Sequence, residues 1–167
     1  ESLFAAVSTL ELEARSELER TVNPGKTALF NLTLRNHGEA GSFQLDLTGT
    51  HLPWAFFVTP TLETVELASN GSLEVKVAIR VPAETEGDAL GQKLADIVVS
   101  ATSTSDLNTR ALARLVARVD TVNQHPDDAA LVAGLQDSLE PKRTPGLDIL
   151  AVLAAVGVAL LSRRRSA

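Results

Sequence analysis

Residues 72–81 read SLEVKVAIRV, and this stretch decides the fold class. Its large apolar side chains occupy every second position: Leu73, Val75, Val77, Ile79 and Val81. Successive side chains of a β-strand point to opposite faces of the sheet, so a period of two places all of these on one face. The opposite face carries mostly polar residues, among them Glu74, Lys76 and Arg80. The pattern therefore predicts a β-strand with one buried face and one face in solvent.

The same alternation recurs along the first 120 residues. It is clear in TALFNLTLRN (27–36), SFQLDLT (42–48) and ALARLVARV (111–119), and weaker in 9–14, 64–67 and 94–102. Turn signals separate these stretches, including NPGK at 23–26, where Pro and Gly take the positions that a type II turn prefers. About seven short strands in one domain favour a β-sandwich. We expect one core between two sheets: Phe30, Leu32, Leu34, Phe43, Leu45, Val75, Val77 and Ile79.

The first twenty residues are ambiguous, because their charges could also line a helix. We predict a strand around Leu10 and Leu12, followed by an irregular approach to Asn23. Trp54 is the only tryptophan. Only 4% of the residues are aromatic, which weakens a carbohydrate-binding function, because sugar-binding platforms usually need exposed rings.

Residues 22–119 resemble the immunoglobulin-like modules of archaeal and bacterial surface proteins. The resemblance rests on VNPGKTALFNLTLRNHGEAGSFQLDLTG (22–49), the following Trp54, and ASNGSLEVKVAIRVP (68–82). The modules in question are the CARDB cell-adhesion-related class and the domains appended to α-galactosidases. The resemblance implies an all-β immunoglobulin-like sandwich, with Trp54 in a structural position.

Charge and composition limit the function classes. Residues 1–120 carry 16 acidic and ten basic side chains, and this acidic balance argues against nucleic acid as a partner. The chain has no cysteine and only three histidines, which lie too far apart in sequence for a helical ligand pair. No nucleophile elbow or phosphate-binding loop is present. We therefore predict no catalytic residue, no metal ligand and no cofactor, and hence no enzyme.

Residues 121–146 read as a linker or semi-flexible stalk. Asp127 and Asp128 are adjacent and could cap a short helix that runs through Leu139 and ends before Pro141. Its predicted apolar positions are Ala130, Leu131, Ala133 and Leu135. We otherwise interpret the two carboxylates as part of a solvated acidic loop.

The last segment, residues 147–167, is predicted to be a C-terminal apolar helix that engages a membrane. The fifteen residues from Leu147 to Leu161 contain one charge, Asp148, and end at Arg163, Arg164 and Arg165. A helix of this length reaches about 22 Å, against a bilayer core of about 30 Å. A buried core helix is the alternative, but the run is apolar on every face, and the arginines stop it as cytoplasmic charges do. We expect a short span with snorkelling arginines.

The tail also resembles the PGF-CTERM sorting signal of archaeal surface proteins. The motif positions are Pro145, Gly146 and Leu147, where the family has Phe at the third, followed by the apolar helix and the arginine cluster. The resemblance implies recognition by an archaeosortase, which removes the helix and attaches a lipid near the motif. Membrane lipid and an archaeosortase are thus expected partners.

Two sequons match the acceptor for N-linked glycans: Asn31-Leu32-Thr33 and Asn70-Gly71-Ser72. Asn31 is predicted on the outward face of its strand and Asn70 at a turn tip. We expect both to be exposed and glycosylated, as in a protein outside the cell.

Together these features predict three regions: a sandwich (1–120), a stalk (121–146) and a membrane tail (147–167). Because the sequence opens on Glu1 without a signal peptide, we interpret it as the C-terminal piece of a longer protein or as a chain already trimmed. The predicted function is a structural or adhesive module at the cell surface, anchored through its C-terminus with the sandwich outside. The alternatives are an accessory non-catalytic module of an anchored hydrolase and a carbohydrate-binding module.

Overall fold

The computed structural model describes residues 9–86 and 92–139. In these residues the chain forms nine β-strands and one α-helix. The strands are β1 (Leu10–Ala14), β2 (Glu19–Val22), β3 (Thr27–Asn36), β4 (Gly41–Gly49), β5 (Ala55–Thr59), β6 (Thr64–Leu67), β7 (Ser72–Arg80), β8 (Gln92–Ser103) and β9 (Arg110–Asp120). A 3₁₀ turn at Leu52–Trp54 precedes β5, and the helix α1 spans Ala129–Leu139.

Two sheets pack face to face. The first sheet has the order β1-β3-β7-β5, and the second has the order β2-β9-β8-β4-β6. Neighbouring strands are antiparallel except for β2 and β9, which are parallel. The register of β3 against β7 sets Phe30 opposite Val77 and Leu32 opposite Val75, so the apolar faces of both strands coincide. This confirms the predicted all-β, two-sheet architecture.

The core lies between the sheets and contains the predicted residues. All eight side chains named above as the core are buried: Phe30, Leu32, Leu34, Phe43, Leu45, Val75, Val77 and Ile79. Trp54 is half-buried and packs against this core, in agreement with its predicted structural position. Burying alternate apolar side chains from both sheets is the main contribution to stability, at roughly 25 cal/mol for each Å² of apolar surface.

Nine described strands replace the expected seven, because two strands lack a readable alternation. The first, β2, has the sequence ERTV, where the prediction had an irregular approach to Asn23. The second, β5, has the sequence AFFVT, which is mostly apolar and carries no period-two signal. Short strands of this kind are formed by pairing with their neighbours, here β9 and β7, and not by local pattern.

The chain changes sheets between β1 and β2. Strand β1 pairs with β3 in the first sheet and β2 pairs with β9 in the second. Strand β1 pairs with β3 only from Asn36 to Leu32. The first part of β3, residues 27–31, therefore extends past the end of β1. The backbone groups on that edge of β3 need other partners, since an unpaired buried N–H is costly.

Helix α1, which lies within the stretch 121–146 predicted as a stalk, packs on the outer face of the first sheet. Val132 is fully buried in a small second core with Leu29, Val58 and Ala78. Residues through Gln136 belong to the same compact unit as the sandwich. The stretch 121–136 is therefore part of the domain, because its helix finds an apolar surface on the outer face of the sheet.

The apolar face of α1 also differs from the prediction. Leu135 is partly buried against the second core as expected, whereas Leu131 is 61% exposed. Val132 and Leu135 are three residues apart and face the sheet together. The side of a helix that is buried depends on the surface that receives it, and the sequence did not show that surface.

None of the helices in the described part of the chain is long and apolar enough to cross a membrane. The predicted span at 147–161, the motif Pro145-Gly146-Leu147 and Arg163, Arg164 and Arg165 lie outside the described residues.

Candidate functional site

The two sequons lie in different environments. Asn70 occupies a turn before β7, is exposed and has a positive φ of 57°. Asn31 lies in β3, a strand with neighbours on both sides, and is half-buried on the outer face of its sheet. Its side-chain carbonyl oxygen is buried and receives no hydrogen bond from the residues described. The structure thus makes Asn70 reachable as predicted, whereas Asn31 is less exposed than the sequence pattern indicated.

Trp54 lies at one end of the sandwich beside a groove of about 470 Å³. The lining includes Pro53, Trp54, Phe56 and Arg80. The imidazole of His51 stacks on the Trp54 ring, with 4.2 Å between the ring centroids. The Arg80 guanidinium lies 5.6 Å from the centre of the Phe56 ring, within cation–π range.

A second groove, of about 580 Å³, lies between the two sheets on the side where the chain crosses from β1 to β2. One wall consists of Leu10, Glu11 and Leu12 of β1 together with His37, and the other wall consists of Arg110, Ala111 and Leu112 of β9. Glu11 and His37 form a pair at 3.1 Å. We refer to this feature as the β1/β9 groove.

Asp120, at the end of β9, organises a cluster of polar groups. Its carboxylate accepts hydrogen bonds from the backbone N–H of Val122 at 2.8 Å and from the Asn123 side chain at 2.9 Å, and it pairs with His125 Nε2 at 2.9 Å. The His125 bond is the largest of the causes that hold the pKa of Asp120 well below its usual value. Asn23 donates to the backbone oxygen of Asp120 at 2.7 Å, and its own oxygen accepts the backbone N–H of His125. The cluster ties the segment after β9 to the turn before β3.

Asp127 and Asp128 bind the part of the β3 edge that β1 does not cover. Asp127 Oδ1 accepts the N–H of Thr27 at 3.1 Å and that of Ala129 at 3.0 Å. Asp128 Oδ2 accepts the N–H of Leu29 at 2.9 Å and also binds the Arg20 guanidinium. Asp128 is only 8% exposed, so the interpretation of both residues as a solvated loop was wrong for this one.

The three histidines do not converge on a reaction site. His37 pairs with Glu11, His51 stacks on Trp54, and His125 pairs with Asp120. Within residues 9–86 and 92–139, no group of three or more His, Cys, Asp or Glu side chains is arranged to hold a metal ion. The groups around Asp120 are amides, backbone N–H groups and an imidazole, which fix a chain segment.

Sequence reasoning missed both the role of Asp120 and the pairing of the two linker carboxylates with β3. These contacts join residues about a hundred positions apart in the chain, such as Leu29 with Asp128 and Asn23 with Asp120. The only signal in the sequence was the density of Asp, Asn and His between 120 and 128, which is also typical of a solvated loop.

Several solved structures are similar to this chain in fold, at low sequence identity. The ASH/PapD-like domain of human CEP192 is 14% identical with a TM-score of 0.45, covering 71% of this chain and 88% of that one. The periplasmic chaperone SfaE is 15% identical with a TM-score of 0.43, covering 68% and 58%. The SrpA adhesin of Streptococcus sanguinis is 15% identical with a TM-score of 0.46, covering 73% and 65%. The chain thus spans less than two thirds of the chaperone and of the adhesin.

Sequence comparison identifies a family for this chain but does not identify a function. No curated protein matches the chain. A family model described as the VWA7 Ig-like domain matches residues 11–116, which run from β1 into β9 and include most of the sandwich core. The chain therefore belongs to the VWA7 Ig-like domain family.

Proposed function

We propose that this Ig-like domain is a non-catalytic structural or adhesive module of a cell-surface protein, close to the membrane. The observation that supports it best is the way the chain after β9 is attached to the sandwich. Asp120, His125 and Asn23 hold the start of this segment, and Asp128 binds Leu29 of β3. A segment fixed to the sandwich at several points suits a structural module that lies between a C-terminal anchor and other domains of the protein.

The surface location is part of the same proposal and comes from the sequence. The apolar run 147–161 followed by Arg163–Arg165 would anchor the C-terminus, with membrane lipid and an archaeosortase as partners. The exposed sequon at Asn70 suits a domain outside the cell. An accessory module of an anchored hydrolase would carry the same anchor and the same fold, with any catalysis performed by another domain.

Membrane partitioning of the full chain tests the anchor. The full chain should float with lipid vesicles, and a variant without residues 147–167 should stay in solution with the same Trp54 fluorescence and unfolding transition. A truncated variant that unfolds, or a full chain that does not float, would contradict the proposal. On protein from the native host, the intact mass before and after glycan removal tests Asn70 and Asn31, with Asn70→Gln as the matched control.

A carbohydrate-binding role is the second candidate, and the groove beside Trp54 favours it. Two aromatic residues and Arg80 line this groove, and rings with a cationic donor are a common combination in sugar sites. His51 already stacks on Trp54, which reduces the ring surface open to a sugar. Titration with neutral oligosaccharides, followed by Trp54 fluorescence, separates this role from the structural one. Saturable quenching that Arg80→Ala abolishes, at unchanged unfolding transition, would support sugar binding.

A further inference from the structure

One border of the β1/β9 groove is an edge of β9 that β2 leaves uncovered. Strand β2 pairs with β9 only from Val116 to Val119, so among the described strands none pairs with this edge of β9 between Arg110 and Leu115. Across the groove, β1 is the end strand of its sheet. An exposed strand edge is a row of hydrogen-bonding groups that can pair with another chain.

Hydrogen bonds at the strand ends show which backbone groups face the groove. Ser103 donates to the oxygen of Thr109 on the β8 side, whereas Val116 donates to Leu18 on the β2 side. Since these directions alternate along a strand, the N–H and C=O groups of Leu112 and Arg114 point away from β8. The backbone groups of these two residues therefore face the open position beside β9.

The side chains of β9 indicate what the groove would accept. The inward residues of this stretch are Ala111 at 7%, Ala113 at 8% and Leu115 at 0% exposure, and pairing with β2 begins at the next residue, Val116. Of these residues only Ala111 lines the groove, together with Leu12 of β1. On the outward face Leu112 is 55% exposed. Arg110 makes no ion pair with any residue that the structure describes, whereas Arg114 binds Asp96 at 2.5 Å.

We propose that the β1/β9 groove binds an extended peptide segment of a partner protein by β-strand addition. The segment would pair with the Leu112 and Arg114 backbone, direct an apolar side chain toward Ala111 and Leu12, and present a carboxylate to Arg110. Main-chain hydrogen bonds supply affinity in this mode, and alternate side chains supply specificity. The inference rests on the edge of β9 and is independent of the proposed surface role.

A second copy of this chain is a poorer occupant of the same edge. Antiparallel pairing of two β9 edges centred on Leu112 would place Arg110 of one copy opposite Arg114 of the other. Like charges directly opposite each other destabilise a strand pair. The net charge of −6 adds repulsion between copies.

The test uses the full chain and a capped, proline-free peptide of about eight residues, in which valine alternates with threonine around one central glutamate. One control peptide has the valines grouped together, and another has lysine in place of glutamate. We expect NMR shifts and slowed amide exchange at Leu112 and Arg114 with the first peptide. The lysine peptide should bind up to about fivefold more weakly, the range of one exposed ion pair.

Leu112→Pro removes an N–H that faces the groove and leaves the β8 ladder intact, as proline allows on an outward edge. The affinity of the Leu112→Pro variant for the glutamate peptide should be about tenfold lower than that of Leu112→Ala, because the alanine variant keeps the N–H. If the proline variant does not fold, Arg110→Glu replaces it and should reverse the preference between the glutamate and lysine peptides. Equal binding by Leu112→Pro and Leu112→Ala, or shifts confined to the Trp54 groove, would overturn the proposal. Self-association that protects the Leu112 and Arg114 amides without peptide would also overturn it, in favour of a second copy.

Discussion

Replacing Asp128 with alanine should destabilise the domain more than any other single change in the segment after β9. The carboxylate is buried, accepts the N–H of Leu29 at 2.9 Å and neutralises Arg20. A hydrogen bond to a charged group contributes about 1.5–3 kcal/mol, and the unpaired Leu29 N–H adds to the loss. Arg20 keeps its bond to the Leu29 oxygen at 3.0 Å, which limits the cost. We expect a loss of about 3 kcal/mol in the free energy of unfolding, or roughly 10 °C in Tm.

The matched control is its neighbour in the chain. Asp127 also accepts two backbone N–H groups, but it is exposed, so Asp127→Ala should cost about 1 kcal/mol, as for loss of a helix cap. Asp128→Asn keeps an acceptor for Leu29 and loses the charge that faces Arg20, so its cost should lie between the two alanine variants. Urea unfolding followed by the fluorescence of the single tryptophan, Trp54, measures all three.

Amide exchange supplies the local readout. The Leu29 amide should exchange faster in Asp128→Ala and at the normal rate in Asp127→Ala. If Asp128→Ala costs no more than Asp127→Ala, or if the Leu29 amide is unchanged, then the carboxylate does not complete the edge of β3 and the reasoning is wrong.

Three further changes probe other parts of the domain. Val132→Ala should cost about 2 kcal/mol, because Val132 is fully buried, whereas Leu131→Ala, at a position 61% exposed, should stay within about 0.5 kcal/mol in the same urea assay. Gly49→Ala should reduce Tm sharply and lower the yield of folded protein, since the backbone φ is +135° and a Cβ would lie 2.0 Å from the Asp96 oxygen. Asp120→Asn should make the free energy of unfolding less dependent on pH in the acid range. The folded-state pKa of Asp120 is depressed, so its contribution is present above about pH 4 and is lost as the pH falls toward the folded pKa. Urea midpoints at about pH 7 and pH 3 should therefore differ less in this variant than in the wild type; an equal difference would exclude a stabilising role for the ionised carboxyl.

The sandwich could be predicted because its strands carry their own signal. In β3 and β7 the core residues alternate, with only Leu29 and Ala78 apolar on the other face, and a shift of one residue would turn the core side chains away from the core. The turn at Pro24 and Gly25 was also readable, since Gly25 has the positive φ of 77° that its turn position requires. Strands β2 and β5 could not be predicted from the sequence, because their residues form strands by pairing with β9 and β7.

The sites were less predictable than the fold. Asn70 and Trp54 were placed correctly, because a turn tip and a lone tryptophan in a β domain have strong local preferences. The half-buried state of Asn31 depends on the strands on either side of β3, and no local pattern reveals their number. The β1/β9 groove was missed altogether, because it exists only where β1 leaves one sheet and β2 joins the other.

The sequence by itself determined the class of fold, the strands that alternate and the eight core residues, since a period of two assigns each side chain to a face before any strand has a partner. Tertiary structure alone decided the rest: which face of α1 is buried, that Asp128 binds the edge of β3, and that Asp120 fixes the segment after β9. Those outcomes depend on contacts between residues about a hundred positions apart. A hydrogen bond of this kind leaves no periodic pattern in the sequence. Its partners lie far apart in the chain and are neighbours only in the folded sandwich, where the apolar faces are packed together.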